Sequence, residues 1–117
     1  MKHIIICILV LTLAISLYAE VLTCYDIQYT EDPSGNSPYS GRTVTVRGIV
    51  VVELFYTGTN VNNIGFFISD PDGGPWSGLL IYSNQFHPQR GDEVEVTGTI
   101  TEYYNFTEMS PTTGYTN

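Results

Sequence analysis

Two long segments of this chain alternate between apolar and polar residues with a period of two, and this pattern most constrains the fold. Residues 43–56 place apolar side chains at even positions from Val44, and residues 93–104 do the same from Val94. Successive side chains of a strand point to opposite faces of a sheet, so both segments are predicted to be strands with a buried face. No helical periodicity of useful length follows residue 19. The predicted fold class is therefore all-β.

A glycine interrupts each of the two long strands. Gly48 and Gly98 stand at positions where a bend or bulge is easiest to form. Beyond Gly48 the odd positions become apolar as well, which is typical of a strand covered on both faces. Shorter apolar runs at residues 65–69 and 78–83 flank the turn-forming segment 70–77, DPDGGPWS, and predict a hairpin.

The remaining segments complete the predicted order of elements. Residues 21–29 predict an opening strand, residues 30–41 a loop, and residues 84–91 a loop too short for more than one helical turn. Strand, loop, bent strand, hairpin, loop and long strand in that order indicate a small Greek-key barrel or sandwich.

The beginning of the chain has the layout of a signal peptide. A basic start precedes the uncharged run of residues 4–17, and Glu20 ends the apolar stretch. We expect cleavage after Ala19, with Ser16 as the alternative site, and a mature domain over residues 20–117. The apolar run is shorter than the roughly 20 residues of a membrane-spanning helix. The mature protein is expected to be secreted, periplasmic or at the cell surface, and not in a membrane.

Charge and cysteine content restrict the mature domain further. The full chain has 4 basic and 12 acidic residues and a formal net charge of -8, so its average field repels nucleic acid. Cleavage leaves Cys24 as a single cysteine, which excludes an internal disulfide and favours a small buried side chain. Lipid attachment at Cys24 is the alternative, although the preceding Thr23 fits a lipoprotein signal poorly.

Four blocks of sequence, in a fixed order, are similar to a known module. They are IQYTEDPSGNSPYSGRTVTVRGIVV, GFFISDPDGG, GLLIYS and GDEVEVTGTITEYYNFTEM, at residues 27–51, 65–74, 78–83 and 91–109. This series resembles the OB-fold module of secreted bacterial nucleases and cell-surface proteins, which precedes a metal-dependent endonuclease/exonuclease/phosphatase domain. The resemblance implies a five-stranded Greek-key OB-fold barrel. The catalytic domain lies outside the resemblance, so we expect no enzyme activity and no cofactor.

The end of the chain departs from this module. Residues 110–117, SPTTGYTN, have no apolar alternation and are predicted to be a polar tail where the module has its final strand. Either the last strand is missing, as in a shortened product or a fragment of a longer protein, or Asn105–Met109 contributes a short one. A missing strand would leave an unpaired edge that favours aggregation.

The resemblance also implies where a ligand would bind. OB folds hold oligonucleotides or oligosaccharides on strands 2 and 3 and on the loops that join strands 1 to 2 and 4 to 5. Phe66 and Phe67 point to opposite sides of their strand, so one of them must be core. The candidate ligand-binding residues are Arg47, Tyr56, Asn60, Asn62, Phe67, Trp76, Tyr82 and Tyr103.

No metal site is predicted. Asp70 to Gly73 resembles the opening of a calcium loop, but the third acid is absent and Ile81 stands where a bidentate glutamate is needed. A hairpin turn is the interpretation that fits these residues.

The expected function is that of an exported, non-catalytic accessory module. Its expected partner is single-stranded nucleic acid, which it binds or presents beside a nuclease or surface domain. One alternative, favoured by the acidity, is a structural module that contacts a protein of the cell envelope. Another is a carbohydrate-binding module that uses Trp76 and the tyrosines.

Overall fold

The computed structural model of the protein describes residues 20–57 and 61–117, with the backbone alone at 55–57 and 61–63. The predicted signal peptide, residues 1–19, and Asn60 lie outside the described residues. The elements in chain order are β1 (Val21–Leu22), α1 (Cys24–Gln28), β2 (Thr43–Thr57), β3 (Val61–Ser69), β4 (Gly78–Ile81), β5 (Glu93–Tyr103) and β6 (Phe106–Thr116).

Five of these strands close into a barrel. The order of neighbouring strands is β2, β3, β4, β6 and β5, and β5 pairs back onto β2. The pairing of β4 with β6 is parallel, and the other pairings around the barrel are antiparallel. β1 adds a two-residue parallel pairing to β2. This is the arrangement of an OB-fold-like barrel, which confirms the predicted fold class.

β6 corrects the prediction for the end of the chain. The last strand is neither missing nor confined to Asn105–Met109, and residues 110–117 are not a tail, because β6 runs on to Thr116. Its second half pairs with β5 from Thr112 onward. The register shifts twice around Gly98, and Pro111 lies within the strand. These irregularities break the alternation by which a strand is recognised in sequence.

The segment predicted as an opening strand, residues 21–29, is mostly helical. The Thr23 hydroxyl accepts a hydrogen bond from the Asp26 N–H, and the Asp26 carboxylate accepts one from the Thr23 N–H, both at 3.0 Å. This reciprocal capping box satisfies two N–H groups that a helix start leaves without partners. The capping box favours a helix more strongly than the alternation of VLTCYDIQY favours a strand. Only Val21–Leu22 remains extended.

Asp70 links the turn after β3 to the start of α1 by hydrogen bonds. Its two carboxylate oxygens accept hydrogen bonds from the N–H groups of Cys24, at 2.8 Å, and Tyr25, at 3.0 Å. This use of Asp70 agrees with the predicted turn. Among residues 20–57 and 61–117, no group of three or more His, Cys, Asp or Glu side chains could hold a metal ion.

Cys24 is a core side chain, as predicted. It is completely buried, its Sγ lies 3.8 Å from the carbonyl oxygen of Ile68, and burial raises the pKa of the thiol. A lipid on this sulfur would require the side chain to leave the core, which argues against the lipoprotein alternative. Within the described part of the chain, no helix is long and apolar enough to cross a membrane.

β2 contains a bulge at Val51. Its register with β3 shifts between Val50 and Val52, and one extra residue reverses which side chains face inward. Val50 is buried, whereas Val51 and Val52 are both exposed. The prediction that this half of the strand is covered on both faces is therefore wrong, and the bulge lies beyond Gly48, where the bend was predicted.

The hydrophobic core draws on α1 and on all the strands. Phe66 on β3 is completely buried, whereas its neighbour Phe67 is half-buried on the outer face, so Phe66 is the core member of the pair. The buried cluster consists of Leu22, Cys24, Ile27, Val46, Val50, Phe66, Ile68, Leu79, Ile81, Val94, Val96, Ile100 and Met109.

Glu102 joins the loop before β2 to the hairpin of β5 and β6. Its carboxylate accepts hydrogen bonds from the Ser37 N–H at 2.8 Å, the Ser40 hydroxyl at 2.7 Å and the Thr107 hydroxyl at 2.6 Å. Burial alone would raise the pKa of Glu102, but these hydrogen bonds outweigh it and lower the pKa. Burial raises the pKa of Glu108 on β6, where no such set of donors opposes it.

The two glutamates should therefore affect stability in opposite directions. At about pH 7, Glu102→Gln should lower the free energy of unfolding by about 1 to 2 kcal/mol, and Glu108→Gln should raise it. The lowered pKa of Glu102 gives stability above the unfolded-state pKa near 4.3, and this is lost as pH falls through the folded value. The raised pKa of Glu108 gives stability at low pH that is lost as pH rises through its folded value.

Denaturant unfolding of both variants from about pH 7 to about pH 3 measures this difference. Both variants should move toward the wild type as pH falls and the native glutamates become protonated. A loss in Glu102→Gln that is the same at every pH would show that its charge is not the cause.

Candidate functional site

A groove of about 770 Å³ crosses the barrel wall from β3 to β6. We call it the amide groove, after the two carboxamide side chains in its lining. It passes over the segment that follows β4. Its lining consists of Ile64, Tyr82, Ser83, Asn84, Gln85, His87, Ser110, Pro111 and Thr112.

The end of β4 positions the aromatic side of the amide groove. The Tyr82 N–H donates to the carbonyl oxygen of Met109 at 3.0 Å, so the chain leaves β4 directly beside β6. Tyr82 is 49% exposed, and Asn84 and Gln85 are also exposed. Pro88 is buried and anchors the segment as it returns to β5. A phenol ring and two carboxamides therefore stand together at the surface.

Among the described residues, those that line the amide groove are mostly polar and include no carboxylate, lysine or arginine. Hydroxyl, carboxamide, phenol and imidazole groups can each donate and accept hydrogen bonds. The Thr112 hydroxyl is buried and has no hydrogen-bond partner among the described residues. A buried polar group without a partner is uncommon. The groove is thus chemically suited to a neutral ligand surface with mixed donors and acceptors, such as a nucleobase edge or a sugar.

A second groove, of about 590 Å³, lies between α1, β2 and the turn after β3. Tyr25, Arg47, Asp72 and Glu93 are among its lining residues. Arg47 was predicted as a ligand contact, but its Nε donates to Glu95 at 3.0 Å and lies 3.9 Å from Glu93. The hydrogen bond with Glu95 raises the pKa of Arg47. The arginine is therefore paired with carboxylates of β5.

Three exposed aromatic rings form what we call the aromatic corner, which consists of Tyr25, Tyr29 and Trp76. The two tyrosine rings stack at 5.3 Å between centroids, with 10° between their planes. Trp76 meets Tyr29 edge-on at 5.8 Å and 80°. The exposed fractions are 46% for Tyr25, 39% for Tyr29 and 46% for Trp76. Trp76 was predicted as a site residue, and the two tyrosines were not.

Two of the remaining predicted residues, Phe67 and Tyr103, do not belong to the lining of either groove. Tyr103, 60% exposed, packs edge-on against Tyr104 at the turn between β5 and β6. Phe67 lies on the outer face of β3. Tyr56 and Asn62 are opposite each other in the pairing of β2 with β3. Among the predicted residues whose side chains the structure describes, Tyr82 lines the amide groove and Arg47 the second groove, whereas Phe67, Trp76 and Tyr103 line neither.

Comparison with known proteins supports the fold. No family model matches this chain, and no curated protein matches it. The structure is similar to that of a "putative nucleic acid-binding lipoprotein" from Klebsiella pneumoniae subsp. pneumoniae MGH 78578, with a TM-score of 0.58 and 15% sequence identity. The similarity covers 81% of this chain and 90% of that one. The two proteins share a fold. At this identity the likeness bears on the fold alone.

Proposed function

We propose that this protein is an exported, non-catalytic binding module that holds single-stranded nucleic acid by its bases in the amide groove. The observation that carries the proposal is the half-exposed ring of Tyr82 beside a lining of uncharged donors and acceptors. The groove borders β3 and β4, which correspond to strands 2 and 3 of an OB fold, where such folds bind oligonucleotides. The name of the Klebsiella protein with this fold supports the same ligand class.

The arrangement of charge favours contacts to bases over contacts to phosphates. Residues 20–117 contain three arginines and twelve carboxylates. Arg47 is paired with Glu95, and the Arg42 guanidinium lies 5.0 Å from the centre of the Tyr39 ring. No arginine belongs to the lining of the amide groove. Because few counterions would be released, the affinity should depend only weakly on salt, unlike that of most nucleic-acid-binding proteins.

Stacking would then provide much of the binding free energy. A base stacked on an aromatic side chain contributes about 1 to 3 kcal/mol. Tyr82→Ala should weaken binding of a labelled single-stranded oligonucleotide by about tenfold or more. Fluorescence anisotropy at low and moderate salt measures this change, with Tyr103→Ala as the control because Tyr103 is also exposed but does not line the amide groove.

The control variant should bind like the wild type. Absence of binding by the wild type at low salt, with and without Mg²⁺, would refute the proposed ligand. An equal loss in Tyr82→Ala and Tyr103→Ala would refute the proposed location.

A neutral oligosaccharide is the second candidate ligand, favoured by the uncharged lining of the same groove. Hydroxyl and carboxamide groups suit sugar hydroxyls as well as base edges. Affinity for an oligosaccharide that is lost in Tyr82→Ala, without affinity for the oligonucleotide, would favour this candidate.

A further inference from the structure

The aromatic corner lies at the opposite end of β4 from the amide groove. Trp76 precedes Gly78, the first residue of β4, whereas Tyr82 follows Ile81, the last. The proposed nucleic-acid function does not use the corner. Three aromatic side chains with 39 to 46% of their surface exposed form an apolar patch that no described part of the chain covers. Clustered exposed aromatic residues of this kind are characteristic of interaction sites.

Hydrogen bonds at both ends of α1 hold the aromatic corner in place. The Gln28 side chain donates to the carbonyl oxygen of Gly78 at 2.8 Å, which fixes the end of α1 beside β4. Asp70 fixes the start of α1 to the turn that leads to Trp76, through its hydrogen bonds to the N–H groups of Cys24 and Tyr25. The rings therefore have a defined arrangement before any partner binds, which reduces the entropic cost of binding.

Carboxylates surround the corner. Tyr25 also lines the second groove, where Asp72 and Glu93 are found. On the other side, the Tyr29 hydroxyl donates to Glu31 at 2.8 Å. Arg47 of the second groove donates to Glu95 and lies 3.9 Å from Glu93, so it offsets only part of this charge. The surface around the rings thus has an excess of negative charge.

We propose that the aromatic corner and the second groove together dock a basic polypeptide segment. Arginine and lysine side chains would pack over the exposed faces of Trp76 and Tyr25 and pair with Asp72 and Glu93. The complementarity of charge excludes a phosphate-rich strand at this surface. A neutral sugar could stack on the rings but would not make use of the carboxylates. This proposal concerns a different surface from the amide groove and does not depend on the proposed function.

Trp76 provides a direct probe, because it is the single tryptophan in the chain. A peptide that alternates arginine and glycine, titrated at low ionic strength, should change the intensity or wavelength of tryptophan emission. A peptide of equal length with glutamate in place of arginine should not. A fluorescently labelled copy of the basic peptide gives the affinity of each variant by anisotropy.

Single-residue variants measure separately how much the aromatic rings and the carboxylates contribute to peptide affinity. Trp76→Ala should weaken binding of the labelled peptide by about tenfold, and Asp72→Asn should weaken it by about threefold. Tyr103→Ala serves as the control and should bind like the wild type. Because Trp76 has a positive φ of 64°, Trp76→Gly is a second variant that removes the ring without backbone strain.

Several results would overturn the proposal. These are no change in tryptophan emission, equal binding of the acidic peptide, or unchanged affinity in both Trp76 variants. A change in emission with a neutral oligosaccharide but not with the basic peptide would also overturn it. Oligonucleotide binding that is lost in Tyr82→Ala, with peptide binding unaffected, would show that the two surfaces act separately.

Discussion

Replacing Phe66 with alanine is expected to remove about 3 to 5 kcal/mol from the free energy of unfolding. Phe66 is completely buried at the centre of β3, and its ring meets Tyr115 of β6 edge-on at 6.4 Å between centroids. Truncation would remove buried apolar area. It would also leave a cavity, so the surrounding side chains would lose packing contacts. A domain of this size has a total stability of about 5 to 15 kcal/mol, and Cys24 is a free thiol in the part of the chain that the structure describes. The variant should therefore be close to unfolding.

Phe67→Ala is the matched control, because it removes the same side chain one position along the same strand. Phe67 is half-buried on the outer face, so its loss should cost about 1 kcal/mol or less. Urea unfolding of the two variants, followed by circular dichroism, gives both values. Equal losses would contradict the assignment of Phe66 to the core and Phe67 to the outside.

The second large effect is expected from Gly98→Ala in β5, which should lower the free energy of unfolding by about 3 kcal/mol. A Cβ at this position would lie 2.4 Å from the carbonyl oxygen of Pro111 and 2.7 Å from Cγ of Met109. The first of these is a backbone atom of β6, so the added methyl group cannot be accommodated by a change of rotamer. The two strands would have to separate where the register already shifts around Gly98.

Gly78→Ala is the control for this substitution. The nearest atom to a Cβ at Gly78 is 3.9 Å away, and the residue begins a strand with an unstrained backbone. The thermal unfolding midpoint of Gly78→Ala should be close to that of the wild type or slightly higher, since alanine restricts the unfolded chain more than glycine does. A midpoint for Gly98→Ala that equals that of Gly78→Ala would contradict the close contact between β5 and β6.

The regular parts of the barrel could be predicted from the sequence, and the irregular parts could not. β5 alternates without interruption in its burial, so its bounds were predicted to within one residue. β6 pairs with β5 along most of its length, but Pro111 and the shifts around Gly98 obscure its periodicity. In α1, the hydrogen bonds from N–H groups to Asp70 join residues far apart in the chain. Local patterns do not contain such information.

The candidate site was predictable only residue by residue. Tyr82 and Trp76 are candidates because the resemblance to the OB-fold module implies a ligand-binding face there, and both are exposed. They lie at opposite ends of β4 because that strand runs between them in the sequence. Asn84 and Gln85 follow Tyr82 closely in the sequence, after Ser83, and could have been chosen with it. Thr112 could not, because the amide groove acquires it only when β6 pairs beside β4.

The assignment of the amide groove as the nucleic-acid site can be tested directly by nuclear magnetic resonance. The experiment maps the changes in backbone amide chemical shifts during titration with a single-stranded oligonucleotide. We predict that the perturbed amides cluster around the amide groove, at Tyr82, Asn84, Gln85 and Thr112, while that of Trp76 is unchanged. Perturbations concentrated at Trp76 or at the arginines, or no perturbation at saturating oligonucleotide, would contradict the assignment of the amide groove as the nucleic-acid site.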